Sequence, residues 1–254
     1  MRIWVEGPTP YMEKGEFLYS AIRNNLKLAA RPDTEIELHW PKVGYTDPTY
    51  AWTRSYNAIE GVKSVYEAWK KNYDAFVISC MMDPSLTEAR SIVEIPVAAA
   101  LESAAMTAFL LGNKFSIIGL HTPSKPIYAA LIEKYGFSER LASIRCTGLT
   151  SLEAIALYAQ PEKLIGIFKG CSEKAIKDDG AETIIIGCTA VSSIFTAQSI
   201  YEIEGVPLVN GVVAAVKMAE VMADLRRTYG TNVCRRSIYA AAANWEKEIP
   251  VLPK

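Results

Sequence analysis

Tyr73-Asp74-Ala75-Phe76-Val77-Ile78-Ser79-Cys80 and Ala181-Glu182-Thr183-Ile184-Ile185-Ile186-Gly187-Cys188 carry one pattern twice: a run of branched and aromatic apolar residues, one small residue, then cysteine. Short apolar runs of this kind, bounded by turn formers, are buried strands. Each copy leads into a polar loop, a helical pattern and a strand that begins at proline. That strand follows Ile92-Val93-Glu94-Ile95-Pro96-Val97 in one copy and Ile203-Glu204-Gly205-Val206-Pro207-Leu208 in the other. The likeness extends upstream, where Gly7-Pro8-Thr9-Pro10 follows one strand and Gly119-Leu120-His121-Thr122-Pro123 follows its counterpart. Solenoid repeats have periods of roughly 20–50 residues, so a longer repeat such as this one is a whole domain copied.

Working outward, eight strands alternate with helical patterns. They are Ile3-Trp4-Val5, Glu35-Ile36-Glu37-Leu38, Ala75-Phe76-Val77-Ile78, Pro96-Val97-Ala98, Phe115-Ser116-Ile117-Ile118, Ser143-Ile144-Arg145, Thr183-Ile184-Ile185-Ile186 and Pro207-Leu208-Val209. Strands interleaved with helices imply parallel sheets with helical crossovers. The expected fold class is α/β, with two similar domains related by a pseudo-twofold axis, each a four-stranded, mainly parallel sheet with flanking helices. The chain is expected to cross near residue 100 and return near 210, giving domains of 1–98 plus 210–254 and of 99–209. Two late helices, 211–227 and 237–248, then cover the first domain. Asp83-Pro84 reads as an N-cap followed by proline in the first helical position, and Gly136 stops the helix over 127–135. Facing halves leave a cleft at the carboxyl ends of their strands, where open parallel sheets bind ligands.

Composition narrows the function. The chain has 27 basic and 28 acidic residues, so it has no field to hold nucleic acid or an anionic membrane. The start, Met1-Arg2-Ile3-Trp4-Val5-Glu6, reads as a strand and not as a signal peptide, and no stretch offers the ~18 apolar residues of a membrane span. A cytoplasmic protein acting on a small-molecule substrate is expected. Five cysteines form an odd set with no Cys-x-x-Cys spacing, and the 2 histidines stand far apart, so free thiols without a metal are expected.

A free cysteine after an apolar strand ordinarily fills a core. Equivalence across a repeat argues for a paired role at Cys80 and Cys188, which Cys146, Cys171 and Cys234 lack. A thiol at a strand end just before a helix is expected to have its pKa pulled below the ordinary ~8.5 by amides and the helix dipole. Two such groups suit inversion of a carbon, because a base takes the proton from one face while an acid supplies one to the other. The amides of residues 81–83 and 189–191, with the hydroxyls of Ser79 and Thr189, are placed to receive negative charge on a carbonyl oxygen.

Three segments carry a further resemblance: 76–90, with Ser79-Cys80-Met81-Met82-Asp83-Pro84 at its centre; Gly187-Cys188-Thr189-Ala190-Val191-Ser192-Ser193; and 205–220, which begins Gly205-Val206-Pro207-Leu208-Val209-Asn210-Gly211. Together they resemble the hydantoin racemase branch of the aspartate/glutamate racemase superfamily. The resemblance implies catalytic thiols at Cys80 and Cys188, no cofactor, and racemisation of a hydantoin-like cyclic amide. The substrate-binding candidates are Pro8, Thr9, Ser79, Met81, Asp83, Glu102, Thr122, Thr189 and Ala190. One departure concerns the substrate: the branch has Asn-Pro-Asn after its first strand, whereas Gly7-Pro8-Thr9 stands here, which implies a different or less polar ligand. Related outcomes stay open, namely a maleate-type isomerase, an arylmalonate-type decarboxylase, or a two-lobed binding protein that closes without catalysis. The aromatic segment 40–73 is expected to form a subunit interface of a homo-oligomer, with the wall of an apolar pocket as the alternative.

Overall fold

The computed structural model describes residues 1–248, and the apolar runs form two sheets. The first holds β1 (Arg2–Glu6), β2 (Glu35–His39), β3 (Ala75–Ile78) and β4 (Val97–Ala99), all parallel, in the order β2-β1-β3-β4. The second holds β5 (Phe115–Gly119), β6 (Leu141–Cys146), β7 (Thr183–Ile186), β8 (Glu202–Ile203) and β9 (Val206–Val209), in the order β6-β5-β7-β9-β8. Substituting β5, β6, β7 and β9 for β1, β2, β3 and β4 reproduces the order of the first sheet, so the halves share one topology. β3 and β7 are buried along their whole length, which is why their sequences are continuously apolar.

β8 was not expected. It is a two-residue antiparallel strand, paired to β9 through a tight turn in which Glu204 and Gly205 both have positive φ. That is the geometry of a type I′ hairpin, and two residues are too few to show a period.

The helices are α1 (Glu16–Ala29), α2 (Ala51–Lys70), α3 (Leu86–Ile92), α4 (Ala100–Leu111), α5 (Lys125–Lys134), α6 (Ser151–Leu157), α7 (Pro161–Asp179), α8 (Thr189–Ala197), α9 (Gly211–Tyr229) and α10 (Trp245–Glu248). α9 starts beyond the second sheet and packs against β3 and β4 of the first, alongside α4 and α1. Its cap is Asn210, whose side chain accepts from the Val212 and Val213 amides. α4 leaves the first sheet and lies against β7 and β9 of the second. A single buried cluster therefore joins Ile3, Val5 and Val77 to Ile184, Ile186 and Val191 through Val212, Ala215 and Val216 of α9.

Two expectations about helices are corrected. Residues 237–244 are not helical; only Trp245–Glu248 forms a turn of helix. Ile238 is 61% exposed and the alanines after it are exposed too, so no apolar face is buried to hold a helix together. Nor does Asp83 cap the helix that follows it. It sits in a turn at φ 41°, Ser85 follows at φ 57°, and α3 begins at Leu86. The Asp83 carboxylate turns inward instead and accepts from the Leu101 and Glu102 amides, each at 2.8 Å. α4 follows Ala99, which has no side chain able to cap, so its first amides take a carboxylate from a distant turn.

Candidate active site

Cys80 and Cys188 stand just past the carboxyl ends of β3 and β7, the central strands of the two sheets. Gly187 sets the second of these positions. A Cβ there would lie 2.9 Å from the Ile118 carbonyl oxygen and 3.0 Å from Gly119 Cα, so only glycine lets this end of β7 run so close to β5. The two turns meet, and the Thr189 hydroxyl donates to the Ser79 carbonyl at 3.3 Å. Between them lies a cavity of about 150 Å³ lined by both cysteines.

Its walls are mostly apolar. α1 contributes Leu18, Tyr19 and Ile22, the segment after β2 contributes Trp40, and the α6 region contributes Ile155 and Tyr158. Polar groups enter at Thr9, Ser79, Thr49, His121 and Thr189. Thr49 Oγ1 and His121 Nε2 are 3.0 Å apart, so a loop of the first half hydrogen-bonds to the second half at the cavity. Asn57 shapes that loop: its amide donates to the carbonyls of Pro8 (3.0 Å) and Tyr45 (2.8 Å) and accepts from the Tyr45 amide. Arg54 holds the Thr49 carbonyl at 2.9 Å.

Both thiols have raised pKa values, which corrects the expectation of depressed ones. Burial is the largest influence at each, because a thiolate loses its hydration in an apolar cavity. Cys80 is pushed up to about 12: the Met82 amide favours its thiolate, but the charges of Asp83 and Cys188 oppose it. Cys188 stands at the start of α8, where the Val191 and Ala190 amides and the Tyr158 hydroxyl all favour the thiolate against burial. Amides expected to face a substrate oxygen are thus turned toward sulfur, and the Asp83 amide donates to the Cys80 carbonyl.

Pro8, Thr9, Ser79, Met81, Thr189 and Ala190 line the cavity beside the thiols. Asp83, Glu102 and Thr122 lie outside it, which corrects their placement as substrate contacts. Asp83 caps α4 and accepts from the Tyr135 hydroxyl at 2.7 Å. Glu102 grips the Arg90 guanidinium with both oxygens, at 2.8 and 2.5 Å. Thr122 is exposed on an outer depression shared with Lys125, Arg145 and Lys174. The sequence did not single out Thr49, His121 or Tyr158. His121 had a usable signal: aligning Gly119-Leu120-His121 on Gly7-Pro8-Thr9 sets it opposite Thr9. The aromatic segment divides, with Trp40 at the cavity and Tyr45, Tyr50 and Trp52 exposed. Among the described residues, no group of His, Cys, Asp and Glu is placed to hold a metal ion, and no helix is long and apolar enough to cross a membrane.

A model of the family described as Asp/Glu/Hydantoin racemase matches residues 16–219. A protein named hydantoin racemase from a Pseudomonas species is 33% identical over 228 residues, covering 89% of this chain and 87% of its own. Among solved structures, allantoin racemase from Pseudomonas fluorescens superimposes with a TM-score of 0.82 at 26% identity, covering 95% of this chain and 97% of that one. Allantoin racemase from Klebsiella pneumoniae gives a TM-score of 0.83 at 24% identity, covering 95% and 94%.

Proposed function

Because the chain belongs to the Asp/Glu/Hydantoin racemase family, we propose that it racemises a hydantoin-like cyclic amide by proton transfer between two thiols, without a cofactor. The observation that carries this reading is that each half contributes one cysteine to the same cavity. In one direction the Cys188 thiolate takes the proton from the carbon beside a carbonyl: the C–H bond breaks, an S–H bond forms, and the electron pair moves onto the carbonyl oxygen. Cys80 then gives its proton to the opposite face, reforming C–H and leaving a thiolate. The reverse direction exchanges the roles. The steps need no groups beyond the two sulfurs and a carbon made acidic by its neighbours.

The substrate class rests on the names of the relatives and on the cavity. About 150 Å³ is the scale of a site that holds one small ring, and apolar walls strengthen each charge interaction inside by excluding water.

The test is incubation of single enantiomers of 5-substituted hydantoins in heavy water, followed by circular dichroism for racemisation and proton NMR for exchange. Wild type should racemise and incorporate deuterium together. Cys80→Ser and Cys188→Ser should each lose racemisation by at least a thousandfold, while one enantiomer still exchanges its proton in one variant or the other. Racemisation by both variants at the wild-type rate would end the two-thiol mechanism.

A further inference from the structure

Gly7 follows β1 and lies against the indole of Trp40. A Cβ at position 7 would stand 2.7 Å from Trp40 Cδ1 and 2.9 Å from Nε1, separations that real side chains do not reach. The glycine is thus required by space: any side chain there would have to occupy what the indole now fills. Other rings set the position of the indole as well. Tyr19 meets it edge-on with ring centroids 4.8 Å apart, and Tyr11 does so at 5.3 Å. Gly7, Trp40 and Tyr19 all line the cavity that holds the thiols, on the side where α1 adds Leu18 and Ile22.

We propose that Gly7 and Trp40 act as one specificity-determining wall, which selects an apolar substituent over a hydrogen-bonding one at the stereocentre. The inference rests on the racemase reading above. An indole beside leucine and isoleucine gives a largely apolar surface that an aliphatic or aromatic group covers well. A ureido group on the same surface would bury N–H and C=O groups without partners, and such mismatches are rejected by roughly ten- to a hundredfold.

The probes are 5-isobutylhydantoin and allantoin, whose substituents match in heavy-atom count and differ in polarity. Wild type should favour the isobutyl compound by at least tenfold in kcat/KM. Trp40→Gln puts an amide on the wall and should lower that ratio at least tenfold. Gly7→Ala sets a methyl against the indole so that one of them must shift, and it should lower the ratio in the same direction with Trp40 unchanged in sequence. The readout is the ratio, since a general loss of fold or of thiol chemistry lowers both rates together and leaves it unchanged. A wild type that prefers allantoin, or a ratio that stays constant in both variants, overturns the wall and leaves the racemase standing. Failure of wild type to racemise any member of a 5-substituted hydantoin panel overturns the proposed function itself. Should Trp40→Gln not fold, Gly7→Ala together with the wild-type ratio decides the matter.

Discussion

Burial and hydrogen bonding pull each sulfur in opposite directions, and the balance differs between the two. Cys188 has two amides of α8 and the Tyr158 hydroxyl on the thiolate side, whereas Cys80 has the Met82 amide and faces the charge of Asp83. Cys188 is therefore the thiol that ionises first. Both thiols are raised above the ordinary thiol range, so the thiolate form grows as pH rises. The expected outcome is a kcat/KM that still increases as pH passes 9. Alkylation by iodoacetamide, read by peptide mass spectrometry, should modify Cys188 before Cys80, after the exposed Cys234. A flat rate profile from pH 6 to 9 would contradict the raised thiols, and alkylation of Cys80 before Cys188 would contradict the order. Tyr158→Phe should slow Cys188 alkylation several-fold and leave Cys80 unchanged.

At the scale of elements, local pattern and distant contact divide what could be read from the chain. β3 and β7 were legible because four consecutive buried residues need no knowledge of their neighbours, and the repeated small-Cys ending marked both thiols. Asp83 was misread because its partners, the amides of Leu101 and Glu102, lie across the first half. For Trp40 the sequence left an interface and a pocket wall both open for the same reason: a loop residue's contacts are fixed by what folds over it, here Gly7 and Tyr19. Asp83 yields a prediction at this scale. Removing its carboxylate leaves two buried amides and the Tyr135 hydroxyl without their acceptor, so Asp83→Ala should destabilise the protein by about 2–4 kcal/mol in urea titration. Asp83→Asn keeps an acceptor oxygen and should cost less than half as much. A loss below about 0.5 kcal/mol in Asp83→Ala would mean that the cap does not matter.

For the whole molecule, the decisive feature is that one apolar cluster runs through both sheets by way of α9. Two sequence copies suggest two folding units, but a shared core couples them. Thermal unfolding should therefore show one transition, with coincident tryptophan fluorescence and far-ultraviolet circular dichroism. The probes differ in location, since Trp4, Trp40, Trp52, Trp69 and Trp245 all belong to segments outside the second sheet and its helices. Two separated transitions would show that the core does not couple the halves.

The same continuity governs how a ligand comes and goes. Parting the sheets as jaws would bare Ile3, Val5, Ile184 and Ile186, at about 1.5–3 kcal/mol for each side chain. Lifting the loop that carries Thr49 breaks its bonds to His121 and Arg54, at about 1 kcal/mol for each. The loop bonds are thus fewer and weaker than the apolar contacts that join the halves.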